Sequence, residues 1–462
     1  MKTVTTGRGS RSSSATKSSC ARPSWPFTTV LWCGVAAAVP LNYALPGIAR
    51  ALWFITIMSL ICVPILFLRV ARPLYPVIWL FGGFASLLAI VTATKSAEVT
   101  ENLFVGAQLF ILLGLGSFVL TYEAVRDPRF VNRVAVAFVI GQTLSASIAV
   151  VQLSGLSIRV PGFIYGAVYG RASGLTEHPN TLGIMACIAV LVTLKISVST
   201  RKLRGLVLLA LGTNVLGIVA SGSFTAMLAL GVGLAVLVVC MRDSLGRMAL
   251  WGVVSTAFLG LVVTATGAID YFPSLSARYA QVTGSSETSS WAARQLTYDY
   301  AWRSIAESPL MGNGLGAQTS GTYNGVITVH NVILRSWFQG GPFLGVAFAL
   351  IVVAMGVGIT KAMLRRRHGT EAAVIAAVLT YAAVSPLFEQ RHFWLPLLVA
   401  WASMSAHAYH RHRTAGAEGS SGGTLIAGRS TSTTQRAGRR RHGDRSTAEW
   451  HLVASTARSG RQ

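Results

Sequence analysis

The chain has 462 residues, with 39 Lys and Arg against 15 Asp and Glu, for a formal net charge of +24. Apolar residues make up 52% and charged residues 12%, and mean hydropathy is +0.55. Soluble domains carry about a quarter charged residues, so this composition excludes a soluble globular protein. A nucleic-acid binder is excluded as well, because the positive charge falls in short clusters between long apolar runs. What remains is an all-α polytopic membrane protein.

In chain order, residues 1–26 are basic and Ser-rich and read as a cytoplasmic segment. Ala36-Ala37-Ala38 follows the first apolar run and imitates a signal-peptidase site, but the run is read as an uncleaved first span. A spanning helix needs about 20 mostly apolar residues. Twelve such stretches are expected: 27–44, 51–68, 75–93, 103–122, 134–153, 180–198, 205–220, 223–240, 248–268, 332–360, 371–387 and 393–409. Gly340-Gly341-Pro342 should kink or break the tenth. Residues 27–409 thus form the transmembrane domain. Residues 410–462 are rich in Ser, Gly, Thr and Arg, and are expected to be a disordered basic tail near anionic headgroups.

Orientation follows from Lys and Arg. With the N-terminus in the cytoplasm, every inner connection is basic. These connections carry Arg69 and Arg72; Arg126, Arg129 and Arg133; Arg201, Lys202 and Arg204; Arg242 and Arg247; and Lys361 with Arg365, Arg366 and Arg367. Both termini are then cytoplasmic. The outer connections are short and nearly uncharged, except for loops at about 154–179 and 269–331, the second lying between spans nine and ten. Long loops in compact proteins are usually functional or disordered. The second holds a helical-looking stretch from Trp291 to Glu307, read as an ordered cap on the membrane.

Cations on the outer side are all arginine: Arg159, Arg171, Arg278, Arg294, Arg303, Arg335 and Arg391. A guanidinium is planar, always charged and suited to bidentate phosphate binding. Salt bridges with Glu177, Asp270, Glu287, Asp299 or Glu307 are the alternative use. Arg171 is singled out because Gly170 and Gly174 flank it and let backbone approach a ligand. His330, before Asn331 at the start of span ten, is either a helix-start residue or a base, since an imidazole with a pKa of about 6.5 can accept a hydroxyl proton. His178 is expected to shape the turn into Pro179-Asn180.

Absences narrow the class. Five cysteines show no metal-ligand spacing, so no metal and no cofactor are expected. No Asp or Glu falls at the middle of a span, where coupled transporters usually need one. No phosphate-binding glycine loop occurs, so any reaction must run on a substrate that arrives activated.

Arg171, Gly174, Pro179, Asn180 and Gly183 form R-x-x-G-x-x-x-x-P-N-x-x-G. Pro309, Gly312 and Gly314 form P-x-x-G-x-G, and His330, Asn331, Leu334 and Gly341 form H-N-x-x-L-x-x-x-x-x-x-G. In this order the motifs resemble the O-antigen ligase and polymerase superfamily over about residues 130–360. The resemblance implies a multi-span fold like that of lipid-donor glycosyltransferases. It implies metal-independent transfer of a saccharide from an undecaprenyl-pyrophosphate carrier to a glycan, lipid or protein acceptor, at the outer face of the bacterial cytoplasmic membrane. Arg171, Arg294 and His330 are then the catalytic candidates, with Gly174, Asn180, Arg278, Asn331 and Arg335 as substrate-binding candidates. The family often has S-x-S-R-G where this chain reads Ser221-Gly222-Ser223-Phe224-Thr225, so one family arginine is replaced by Phe224. Two other readings remain open: a flippase for lipid-linked oligosaccharides or another secondary transporter, and a non-catalytic scaffold of envelope assembly.

Overall fold

A computed structural model describes residues 27–44, 47–66, 71–92, 99–153, 171–199, 203–241, 290–316, 322–323, 327–385 and 391–422. The chain divides into a unit of residues Met1–Arg411 and a tail unit of His412–Gln462.

The first unit is a helical bundle. Its helices are α1 (Phe27–Ala38, continued by a 3-10 turn Val39–Ala44), α2 (Gly47–Leu66), α3 (Pro76–Thr92), α4 (Val99–Leu109) and α5 (Ser117–Arg126). A π-helical segment, Phe110–Gly116, joins α4 to α5. There follow α6 (Phe130–Leu153), α7 (Pro179–Ser199), α8 (Arg204–Ser221), α9 (Phe224–Met241) and α10 (Ser290–Glu307). A two-residue antiparallel ladder, Thr322–Tyr323 with Ile327–Thr328, precedes α11 (Val332–Arg365), α12 (Gly369–Ala382) and α13 (Arg391–Gly422).

Eleven of the twelve expected spans coincide with these helices; the stretch 248–268 lies outside the described residues, as does most of the loop after it. Six helices are long and apolar enough to cross a membrane, and four more are apolar but shorter. The chain is therefore a multi-pass membrane protein, with six spans satisfied by length and composition among the described residues. Among the remaining described helices, α1, α3 and α12 are shorter than 18 residues. Helices such as α12, at 14 residues, reach about 21 Å at 1.5 Å per residue, less than a hydrocarbon core of about 30 Å.

Lipid-like surroundings explain which side chains face outward. Phe84, Ile140, Leu208, Leu228 and Val353 are exposed, while the polar Asn214 is buried and donates to the Thr143 hydroxyl at 2.9 Å. That is the inverse of a soluble core and the arrangement a hydrocarbon solvent favours. Aromatic contacts tie the last helix into the bundle: Trp401 packs on Trp79 at 6.1 Å and Trp394 on Phe348 at 5.5 Å.

The bundle has two polar ends, and local sequence sets each. At the basic end, Asp127 starts α6: its carboxylate accepts from the Arg129 amide and pairs with Arg133 at 2.7 Å. At the loop end, Asn331 caps α11, its side-chain oxygen accepting from the amides of Ile333 and Leu334. The same side chain donates to Ala383 O at 3.3 Å, which ties the start of α11 to the end of α12.

α11 is broken where the sequence requires it. Pro342 has no amide to give the carbonyl four residues back, that of Phe338. Gly341 leaves helical geometry, with φ 81° and ψ 178°. The break releases two buried carbonyls, which need new donors. The P-x-x-G-x-G turn supplies them: Asn313 N donates to Phe338 O at 2.9 Å and Gly314 N to Gln339 O at 3.0 Å. Gly312 lies so close to Gln339 O that a Cβ there would overlap it.

Candidate functional site

Three chain segments meet at the loop end. The first is the turn from Arg171 to Asn180. Ala172 N donates to Ala220 O at 2.9 Å, which lays the turn along the end of α8. Gly174 has φ 57°, a left-handed conformation that a Cβ disfavours, and its backbone is clasped by the Gln152 amide on both sides. Leu175 N donates to the Ser145 hydroxyl. These bonds fix the half-buried Arg171. Its Nε donates to Ser221 O at 2.8 Å and its Nη2 to Asn180 Oδ1 at 2.6 Å. Both of these acceptors are neutral oxygens, and the two bonds aim the guanidinium.

His178 shapes the helix start, as expected. Its ring Nδ1 accepts from the Asn180 amide at 3.0 Å, and its carbonyl accepts from Thr181 and Leu182. Pro179 fills the first helical position. Asn180 does not cap the helix; its side chain serves Arg171 instead. Gly183, one turn on, packs against Ser221, Ser223 and Ala226 at the α8–α9 turn.

The second segment is α10, which packs Ala301 and Ile305 against Val329, Leu334 and Phe338 of the α11 region. Tyr300 stacks edge-on against Phe338 at 5.8 Å and Trp302 against Trp337 at 5.9 Å. The stretch expected as an ordered cap is thus a helix docked on α11. Arg294 lies half-buried in its first half, and one turn later the Tyr298 hydroxyl donates to His330 O at 3.0 Å. Burial raises the Tyr298 hydroxyl above its ordinary range, and the Arg294 guanidinium opposes that rise.

The third segment is the start of α11 with the end of α12. His330 is half-buried directly before the Asn331 cap. Two residues before Ala383, the Asn331 acceptor, lies the fully buried Tyr381. Tyr381 interacts electrostatically with both Arg171 and Arg294. The structure therefore brings Arg171, Arg294, His330, Asn331 and Asn180 to one end of the bundle.

The other candidates fare differently. Arg335 is only 1% exposed and donates from Nε to Gln339 Oε1 at 2.9 Å. Gln339 in turn reaches Gly316 O, and Gly316 N donates to the buried Asn102 of α4. Arg335 thus belongs to an internal polar seam behind the P-x-x-G-x-G turn. Gly174 is engaged as a backbone hinge. Arg278 and Arg159 lie outside the described residues. Phe224, at the family arginine position, begins α9 and is half-buried.

Sequence reasoning missed Tyr298, Tyr381, Ser145 and Gln152. Tyr381 carried a signal, as a lone phenol near the end of an apolar run where an amphipathic ring meets the interface. Ser145 and Gln152 carried none, because a polar residue inside a span reads the same whether it clasps a loop or another helix.

A multi-span helical protein with guanidinium groups gathered at one end is the class that fold and site define. Residues 206–349 match the family model described as O-antigen ligase. The match supports the O-antigen ligase superfamily, and with it a glycosyltransferase-like membrane enzyme, a glycan ligase or polymerase with lipid-linked glycan substrates. It runs from α8 into α11, taking in Arg294, the P-x-x-G-x-G turn, His330 and the helix break. Arg171 lies before it, but its acceptor Ser221 lies within it. No curated protein matches the chain.

Proposed function

We propose that this protein transfers a saccharide from an undecaprenyl-pyrophosphate carrier to a hydroxyl acceptor at the outer face of the cytoplasmic membrane, without a metal. The observation that supports this reading is that Arg171 and Arg294, from separate segments, both lie within electrostatic reach of Tyr381.

A pyrophosphate-linked sugar is already activated. The acceptor oxygen forms a bond to the anomeric carbon, the bond from that carbon to the phosphate oxygen breaks, and the lipid pyrophosphate leaves with the electron pair. The acceptor proton passes to His330 as general base. Arg171 and Arg294 stabilise the charge growing on the departing phosphate, from positions set before the reaction starts. Arg278 is an additional phosphate contact. Tyr298, bonded to the His330 carbonyl, tethers the backbone of the base to α10. The positive-inside pattern supports cytoplasmic termini and puts this end of the bundle on the outer side.

Purified protein incubated with a lipid-pyrophosphate-linked glycan, with and without a second acceptor, tests the reading. Product mass separates chain growth from transfer. Arg171→Ala and His330→Ala should each cut product formation by about 10²-fold or more while the protein remains in the membrane. Normal product from either variant removes that residue from the site.

A further inference from the structure

The basic end holds a second polar cluster that the transfer reaction does not use. Lys195 of α7, Arg366, Arg367 and His368 of the α11–α12 turn, and His407 and Arg411 of α13 line a cavity of about 550 Å³. One carboxylate shares that lining, Glu371, and it is already engaged by Lys195 at 2.8 Å and by the Ser403 hydroxyl at 3.1 Å. The lining is therefore strongly positive.

The turn that presents these cations is held in an unfavourable shape. Arg366 and His368 both have positive φ, 50° and 59°, in the left-handed region that side chains with a Cβ rarely adopt. The His368 ring stands edge-on to His407 at 4.6 Å, and His407 Nδ1 lies 2.8 Å from Ser403 O. Gly369, Thr370 and Glu371, the first turn of the 14-residue α12, open on the same cavity, so helix amides add to its positive potential.

Next to it lies a cavity of opposite character. Its volume is about 320 Å³, and Phe138, Ile188, Val192, Val374 and Leu395 are among its walls. The two cavities share Lys195, Thr370 and Glu371. A cationic cavity sharing a wall with an apolar one matches an amphiphile, with an anionic head and a hydrocarbon chain. Basic pockets between helix ends at a membrane surface bind phosphate headgroups for this reason. We propose that the adjoining cavities form one site for a lipid whose phosphate headgroup carries a net negative charge, the phosphate among Arg366, Arg367 and Arg411 and a chain between α6, α7, α12 and α13. The Lys195–Glu371 pair forms the sill between them.

The test uses full-length protein in detergent, titrated with dioleoylphosphatidylglycerol or dioleoylphosphatidylcholine and read by native mass spectrometry. Phosphatidylglycerol should bind about tenfold tighter than phosphatidylcholine, and the double variant Arg367→Gln/Arg411→Gln should erase that preference. Arg365→Gln, on the same helix end but outside the cavity, should leave it intact. Val192→Phe, which narrows the apolar chamber, should weaken phosphatidylglycerol without touching the cations. Equal losses for Arg365→Gln and the double variant would mean diffuse surface charge and would overturn the proposal. So would inorganic phosphate that displaces the lipid and binds unaffected by Val192→Phe, since the ligand would then be a free phosphate.

Discussion

The two ends of the bundle use the same side chains for different ends. At the loop end, Arg171 is half-buried and held by a backbone carbonyl and a side-chain amide oxygen. At the basic end, Lys195 is held by the Glu371 carboxylate, and Arg366, Arg367 and Arg411 stand exposed around it. A hydrogen bond to a neutral oxygen orients a cation without neutralising it. A cation bonded to a carboxylate spends most of its field inside the protein. The comparison teaches that the acceptor helps to separate a cation aimed at a substrate from one that braces helices.

The comparison can be broken most sharply at Arg171. Arg171→Ala should lower the transfer rate by about 10²–10³-fold, the usual loss for one preorganised charge-stabilising donor. Its counterpart Lys195→Met should leave transfer within a few-fold while lowering thermal stability. Rate measurement on both purified variants decides the matter. Gly312→Ala comes next: with no room beside Gln339 O, the added methyl should cost about 1–3 kcal/mol and loosen the turn that caps the broken helix. A fall in melting temperature checks it.

Asn180→Asp sharpens the comparison further. The hydrogen bond to Arg171 survives, but its acceptor becomes an anion, as at the basic end. Transfer should fall by about tenfold, or about 1.4 kcal/mol of barrier, with stability unchanged or raised. Tyr298→Phe removes one hydrogen bond to His330 O, worth about 1 kcal/mol, and should slow transfer several-fold.

The smallest effect is a pH effect at the basic end. Burial is the main cause that lowers the His368 pKa, with His407, Arg411 and Lys195 adding to it and Glu371 opposing. The unfolded chain then takes the proton more readily than the folded one. Stability should therefore decline as pH falls below about 6.5, the ordinary histidine value. His368→Gln should flatten that decline in thermal melts between neutral and mildly acidic pH.

Much of this was legible in the sequence. Apolar runs marked the helices because hydrocarbon admits little else, and Gly341-Pro342 marked the break because proline lacks the amide. The three motifs fall at the loop end, and their residues divide between aiming and bracing. Asn331 caps a helix, Gly174 turns a loop, and Arg335 sits in a buried seam with Gln339. A motif records that a residue type is needed, and both uses need it equally. The clasp by Gln152 and the reach of two arginines to Tyr381 depend on which helices are neighbours, and periodicity within one helix does not carry that. The basic end shows the same limit. Its arginines served only to read an expected orientation, while the paired cavities arise only when α7, α12 and α13 come together.

The central claim is that Arg171 and Arg294 grip one diphosphate. A double-mutant cycle on the transfer rate, with Arg171→Ala, Arg294→Ala and the double variant at matched folding, tests it directly. Two groups acting on one departing phosphate should be strongly non-additive, with the double variant little slower than the slower single. Rate losses that simply multiply would mean two independent sites and would contradict the account.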